Sequence, residues 1–159
     1  MTFSIVGRCA ETGQLGIAIS SSSIAVGARC PWIQAGVGAV STQSITLPAL
    51  GPAILNDLAK DACAPGIALR AALDTDQFHQ YRQVTVIDAQ GRTAVFSGAE
   101  SLGLHNAVDG QQCVAAGNLL SDVAVINAMV SAFEQTGGQL AERLLAAMQA
   151  AMQAGGEAG

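Results

Sequence analysis

Strand-like and helix-like stretches of this chain come in blocks, and that ordering constrains the fold more than any single residue does. From Thr2 to Cys9, Phe3, Ile5 and Cys9 alternate with Ser4 and Arg8, the period of a half-buried strand. The turn-like "AETGQLG" follows, and "LGIAISSSS" reads as a second strand, giving a hairpin with a longer loop. "AVGARCPWIQAG", with Pro31 and Trp32 inside it, reads as loop, and "GVGAVSTQSI" as a third strand buried on both faces. From Gly51 the period turns helical. "GPAILNDLAKDA" sets Ile54, Leu55 and Leu58 on one face, and "APGIALRAALDTD" is a second short helix, each opened by a proline at a first-turn position. "RQVTVIDAQGRTAVFSG" is a hairpin around "DAQGR", and "QQCVAAGN" is a further strand. "LSDVAVINAMVSAFEQTGG" and "GQLAERLLAAMQAAMQAGG" close the chain as helices.

Strands then helices, twice over, argue against the βαβ alternation of a doubly wound parallel sheet. They favour an α+β fold of antiparallel hairpins covered by helix pairs: two mostly antiparallel sheets between two helix layers, a four-layer αββα sandwich. No linker divides residues 1–159, so one domain is expected.

Composition excludes several roles. Half the residues are hydrophobic and 12% are charged, which is too apolar for disorder. A net charge of −5 with only seven basic residues argues against nucleic-acid binding. No apolar stretch approaches the ~20 residues of a membrane span, and no charged and apolar leader opens the chain, so a cytoplasmic protein is expected. Cys9, Cys30, Cys63 and Cys113 fit no zinc spacing and read as buried thiols; His79 and His105 stand alone. No metal site or cofactor is expected. There is no GxxxxGK[ST], no GxGxxG and no GxSxG.

The polar residues that interrupt apolar strands are the candidates for a site. Ser20 to Ser23 end the second strand, Ser41, Thr42 and Gln43 the third, and Gly117 and Asn118 another. Buried polar groups left unsatisfied cost about 1–3 kcal/mol each, so several at strand ends suggest a shared polar cleft, with turn and cap roles as the alternative. Ser21, Ser22, Thr42, Gln43 and Gly117 are candidate substrate-binding residues. Asn118 and Gln43 carry amides able to donate to a developing oxyanion. Arg82 could clamp a carboxylate through its bidentate fork, with Arg8 and Arg29 as further candidates. Thr2 follows the initiator methionine. Removal of Met1 would leave its hydroxyl beside a free α-amine, which titrates near pH ~8 and can serve as the base for that hydroxyl. Otherwise Thr2 is a β-branched residue that starts a strand.

Taken together, "TFSIVGRCAETGQLGIAISSSSIAVGARCPW", "GVGAVSTQS", "LGPAILNDLA", "RQVTVIDAQGRTAVFSG", "AAGNLL" and "LAERLLAAMQA" resemble the domain-of-unknown-function family 1028, from Thr2 to about Gly156. The resemblance implies an N-terminal-nucleophile (Ntn) hydrolase-like αββα fold with Thr2 as the residue of interest. It implies an amidohydrolase cleaving an amide or cyclic amide bond of a small molecule. The alternative is a non-catalytic small-ligand-binding domain on the same fold. Cys9 stands where the family pattern has Asp, and the strand expected after the Gly-rich tail is absent. Gly159 is therefore expected not to be the natural end of the gene product, and a second chain from the same precursor, produced by autoproteolysis, is one route to that state. The mean hydropathy of +0.39 and the few charges lead to an expected homo-oligomer.

Overall fold

The computed structural model describes residues 2–60 and 63–158. Met1 and Gly159, on which the expectations about trimming and about the chain end fall, lie outside the described residues, as do Asp61 and Ala62 at the end of the first expected helix. The described residues form two antiparallel four-stranded sheets and four α-helices. In chain order the elements are β1 (Thr2–Arg8), β2 (Leu15–Ser21), β3 (Pro31–Gln34), β4 (Gly38–Ser44), α1 (Leu50–Leu58), α2 (Pro65–Asp74), β5 (Arg82–Asp88), β6 (Thr93–Ser97), β7 (Asn106–Gly110), β8 (Cys113–Asn118), α3 (Ala124–Gln135) and α4 (Leu140–Gln153). One sheet runs β2-β1-β8-β7 and the other β3-β4-β5-β6.

Each strand block thus holds four strands where three were expected. Pro31–Gln34 is strand β3, paired from Pro31↔Ser41 to Gln34↔Gly38, and not loop. It is an edge strand opened by proline, where a missing N–H breaks no ladder. β7, "NAVDG", pairs with β8 although its residues are mostly polar or small. The third expected strand begins at Gly38, after the turn residue Gly36 with φ +73°.

Burial follows the period-two alternation of the strands. Phe3 and Ile5 of β1 and Ala115 of β8 pack with Ile126, Met129 and Phe133 of α3 and Leu144 and Ala147 of α4. Val40, Val84 and Val86 of the other sheet pack with Ile54 and Leu55 of α1 and Leu69 and Leu73 of α2. A smaller core joins the opposite faces of the two sheets: Val6, Ala39, Ile87 and Val114, with Leu15, Ile17 and Val95 against it. Pro65 opens α2, and a capping box between Gln139 and Glu142 opens α4. Among the described residues no helix is long and apolar enough to cross a membrane.

The indole of Trp32 lies against Gly51 in the first turn of α1, where a Cβ would collide with the ring. Gly51→Ala is expected to lower stability by about 1–3 kcal/mol, the usual range for overpacking, as measured by urea unfolding. No loss would show that the indole moves aside freely.

Candidate functional site

The space between the sheets is apolar at one end and polar at the other. Along β1, Val6 belongs to the apolar end while Ser4 and Thr2 continue the same face. Along β4, Ala39 gives way to Ser41 and Gln43, and along β5, Ile87 gives way to Thr85 and Gln83. Both sheets therefore turn polar on the face they share, at the end where β1 begins and β8 ends.

The polar residues bond to one another across the gap. The Ser4 hydroxyl donates to Gln43 Oε1 at 2.6 Å and lies 3.2 Å from Ser41 Oγ. Gln43 Nε2 donates to Gln83 Oε1 at 2.8 Å, and Asn118 Nδ2 donates to the same oxygen at 3.2 Å. Gln83 Nε2 reaches Ser97 Oγ at 3.0 Å, Gly117 O at 3.1 Å and Asn106 O at 3.3 Å. Thr2 pairs with Asn118 on one side and with Ser21 on the other. Directly opposed residues keep their Cβ atoms about 4.5–5.5 Å apart, so the Thr2 hydroxyl and the Asn118 amide belong to one site. Thr2 Oγ1 lies 3.0 Å from Ser21 Oγ, which also accepts the Ser23 N–H at 3.1 Å. All the side chains in this network are uncharged.

Of the residues singled out in the sequence, Thr2, Ser21, Gln43, Gly117 and Asn118 come together. Gly117 contributes its carbonyl; a Cβ there would strike Leu120 and Ile126 on the helix side. Thr42 lies on the opposite face of β4 from Gln43, bonded to Thr46 at 2.8 Å and to the Arg29 carbonyl at 3.4 Å. Ser22 is exposed in the segment after β2. Arg82 also faces away. Its guanidinium is held by Asp76 at 2.7 Å and by the Ile45 carbonyl at 2.6 Å, so the carboxylate it clamps is the protein's own. The expected open cleft is a packed layer, because the side chains bond to one another and fill it: Thr2 is 7% exposed and Asn118 1%.

With this geometry in view, the comparisons with known proteins are specific. The Family of unknown function (DUF1028) matches residues 2–159. A crystal structure of a Silicibacter pomeroyi protein, described under the same family, superposes with a TM-score of 0.92 at 32% identity, over 97% of this chain and 68% of that one. No curated protein matches. The chain belongs to the DUF1028 family.

The DUF1028 chain stores backbone strain around this site. Among the described residues, Ala25, Ser44, Leu119 and Gln112 have positive φ without being glycine. Ala25 follows β2, Ser44 ends β4 and Leu119 follows β8, all at the polar end; Gln112 lies in the β7–β8 turn at the other. Leu119, at φ +51°, is the least suited to that region. It is held by its N–H to the Leu102 carbonyl and by its carbonyl from the Ala158 N–H, both at 2.9 Å. Such strain persists only where surrounding contacts over-determine it, and it concentrates at functional sites.

Gln83, Ser4 and Ser97 were not singled out in the sequence. Their signal was the polar alternation in "RQVTVID" and "TFSIV" and the serine that ends "TAVFS"; what it lacked was the register between sheets. Burial pushes Cys30 up and Cys113 up to about 12, which keeps both protonated. Cys9 is lowered by hydrogen bonds from Thr12 and Glu11, but it lies in a groove of about 570 Å³ between the β1–β2 turn and the α3–α4 turn, at the far end of β1.

Arg82 holds the Asp76 carboxyl below its usual range, and the pair is buried, at 9% and 6% side-chain exposure. A lowered native value means the pair's contribution is complete above the ordinary aspartate value of ~3.9 and is lost as pH falls through the native one. Asp76→Asn should cost about 3–5 kcal/mol at neutral pH, since it strands the guanidinium. Denaturant unfolding across pH should show that gap constant near neutrality and narrowing below pH ~4. A gap that widens on acidification would contradict the assignment.

Proposed function

We propose that this protein is an Ntn-type amidohydrolase with Thr2 as nucleophile. The observation that carries the reading is the register of β1. It sets the Thr2 hydroxyl between Ser21 and the Asn118 amide, at the head of the first strand. The packing order supports the reading as well: α3–α4 on one sheet and α1–α2 on the other, with the two sheets facing each other, is the order expected of an Ntn-hydrolase-like chain.

On this reading removal of Met1 frees the Thr2 α-amine. The amine takes the hydroxyl proton as Oγ1 attacks the carbonyl carbon of an amide. The carbonyl becomes an oxyanion, toward which Asn118 offers an N–H. As the C–N bond breaks, the amine returns the proton to the leaving nitrogen, and an ester remains on Thr2. Water activated by the same amine hydrolyses the ester, releasing the acid and restoring the hydroxyl.

The second reading is a ligand-binding domain without catalysis. The near-complete burial of Thr2 favours it, together with a groove of about 570 Å³ that lies away from Thr2.

One experiment separates the two. Protein from its native host is analysed by intact mass, before and after incubation with a β-lactone, a strained ester that a nucleophilic hydroxyl opens. The expected result is loss of Met1 and addition of one whole lactone, mapped to Thr2, retained in Thr2→Ser and absent in Thr2→Ala. Met1 retained on all molecules, or no adduct on Met1-free protein, would overturn the hydrolase reading.

A further inference from the structure

Three observations bear on which way the buried carboxamides point. Gln83 Nε2 lies against two backbone carbonyls of the opposite sheet, Gly117 O at 3.1 Å and Asn106 O at 3.3 Å. Carbonyl oxygens only accept, so an amide turned the other way would set its oxygen against both. The orientation of Gln83 is thus decided by main chain, not by groups that could themselves flip. Gln83 Oε1 must then face Gln43 and Asn118, and each of those must present nitrogen to it. The order continues outward, for Gln43 turns its own oxygen to the Ser4 hydroxyl. Asn118 has one N–H tied to Gln83, while the second has no hydrogen-bond partner among the described residues, although Asn118 is 1% exposed. That second N–H is left to serve another acceptor.

We infer that Gln83 is a positioning residue: its carboxamide, pinned by the Gly117 and Asn106 carbonyls, fixes Asn118 so that an N–H, not an oxygen, is offered beside Thr2. The acceptor this arrangement suits is a carbonyl oxygen or the oxyanion formed from it. A donor group of a ligand would meet a donor and be rejected. The inference rests on the proposed hydrolase reading for the reaction that uses this N–H, and on hydrogen bonding alone for its orientation.

The test uses the full chain labelled with ¹⁵N. The Asn118 side-chain amide is assigned by its disappearance in Asn118→Asp. In the wild type its two protons should be widely separated, with one exchanging at least tenfold more slowly than an exposed amide. Gln83→Met, which is close in shape and has no amide, should abolish that protection. Thr85→Val should not change it: Thr85 lies on the same face of β5, two residues on, and its hydroxyl has no partner among the described residues. In parallel, the rate of β-lactone addition to Met1-free protein should fall at least tenfold in Gln83→Met and stay within twofold in Thr85→Val.

Equal losses in the two variants would show a merely structural role and overturn the inference. An Asn118 amide that exchanges freely in the wild type would overturn it whether or not Gln83→Met folds. A wild type inert to the lactone but with a protected Asn118 amide would remove the hydrolase reading and leave the orientation by Gln83 standing.

Discussion

The Gln83 carboxamide reaches from β5 of one sheet to the Gly117 and Asn106 carbonyls of the other, and the polar half of the inter-sheet space is arranged around it. At the apolar end, Val6, Ala39, Ile87 and Val114 hold the sheets together by contact, which is non-directional. At the polar end the joining is directional. Each amide has a donor side and an acceptor side, so placing one sets the next. A half-satisfied network of this kind is worse than an apolar core, and a satisfied one rigidifies its surroundings. Serine and glutamine between two sheets would weaken an ordinary sandwich. Here they fix the relative position of β1, β4, β5 and β8 at the end where Thr2 lies.

The block order of strands and helices was legible because period two and period 3.6 are properties of the residues themselves. β3 was not, because four residues opened by Pro31 and bounded by turns carry too little alternation to separate from loop. β7 was hidden for a related reason: "NAVDG" is stabilised by its pairing with β8, not by apolar content. The site was legible in part. Polar residues at strand ends do gather, and Thr2, Ser21, Gln43 and Asn118 meet. Alternation could have sorted the candidates further. Thr42 and Gln43 are neighbours on one strand, as are Arg82 and Gln83, so one of each pair must face away from the other sheet. The odd-numbered member of each pair faces inward, and Thr42 and Arg82 turn to the helix side. What no reading of one strand supplies is which residues of the two sheets lie opposite, and the centrality of Gln83 depends on that.

Among the described residues, three of the four non-glycine positive-φ residues lie at the end that carries the polar network. Leaving β4 at Ser44 and β8 at Leu119 through the left-handed region turns each chain sharply just past the network. The turned segments are then tied to one another: Leu102 donates its N–H to the Ser44 hydroxyl at 3.3 Å and accepts the Leu119 N–H at 2.9 Å. The segment between β6 and β7 thus spans both sheets above the site. Gly103, at φ +57°, packs against the Leu119 side chain in a backbone conformation that favours glycine. These hydrogen bonds tie the segments that leave β4 and β8 to the segment between β6 and β7, at the end of the molecule that carries Thr2.

The absence of charge from the network among the described residues bears on what it can recognise. Arg82, on the other face of β5, is neutralised there by Asp76. A charged ligand group brought between the sheets would lose its hydration and find no counter-charge among the side chains of the network, a penalty of roughly several kcal/mol per ion. A neutral carbonyl loses far less and can be repaid by one or two hydrogen bonds from fixed amides. On the proposed reading the negative charge arises only as the carbonyl is attacked. Donors that are already oriented stabilise it more than they stabilise the uncharged substrate, and that difference is what accelerates a reaction. A neutral network of fixed amides therefore suits a site that binds an uncharged amide and meets charge only in its transition state.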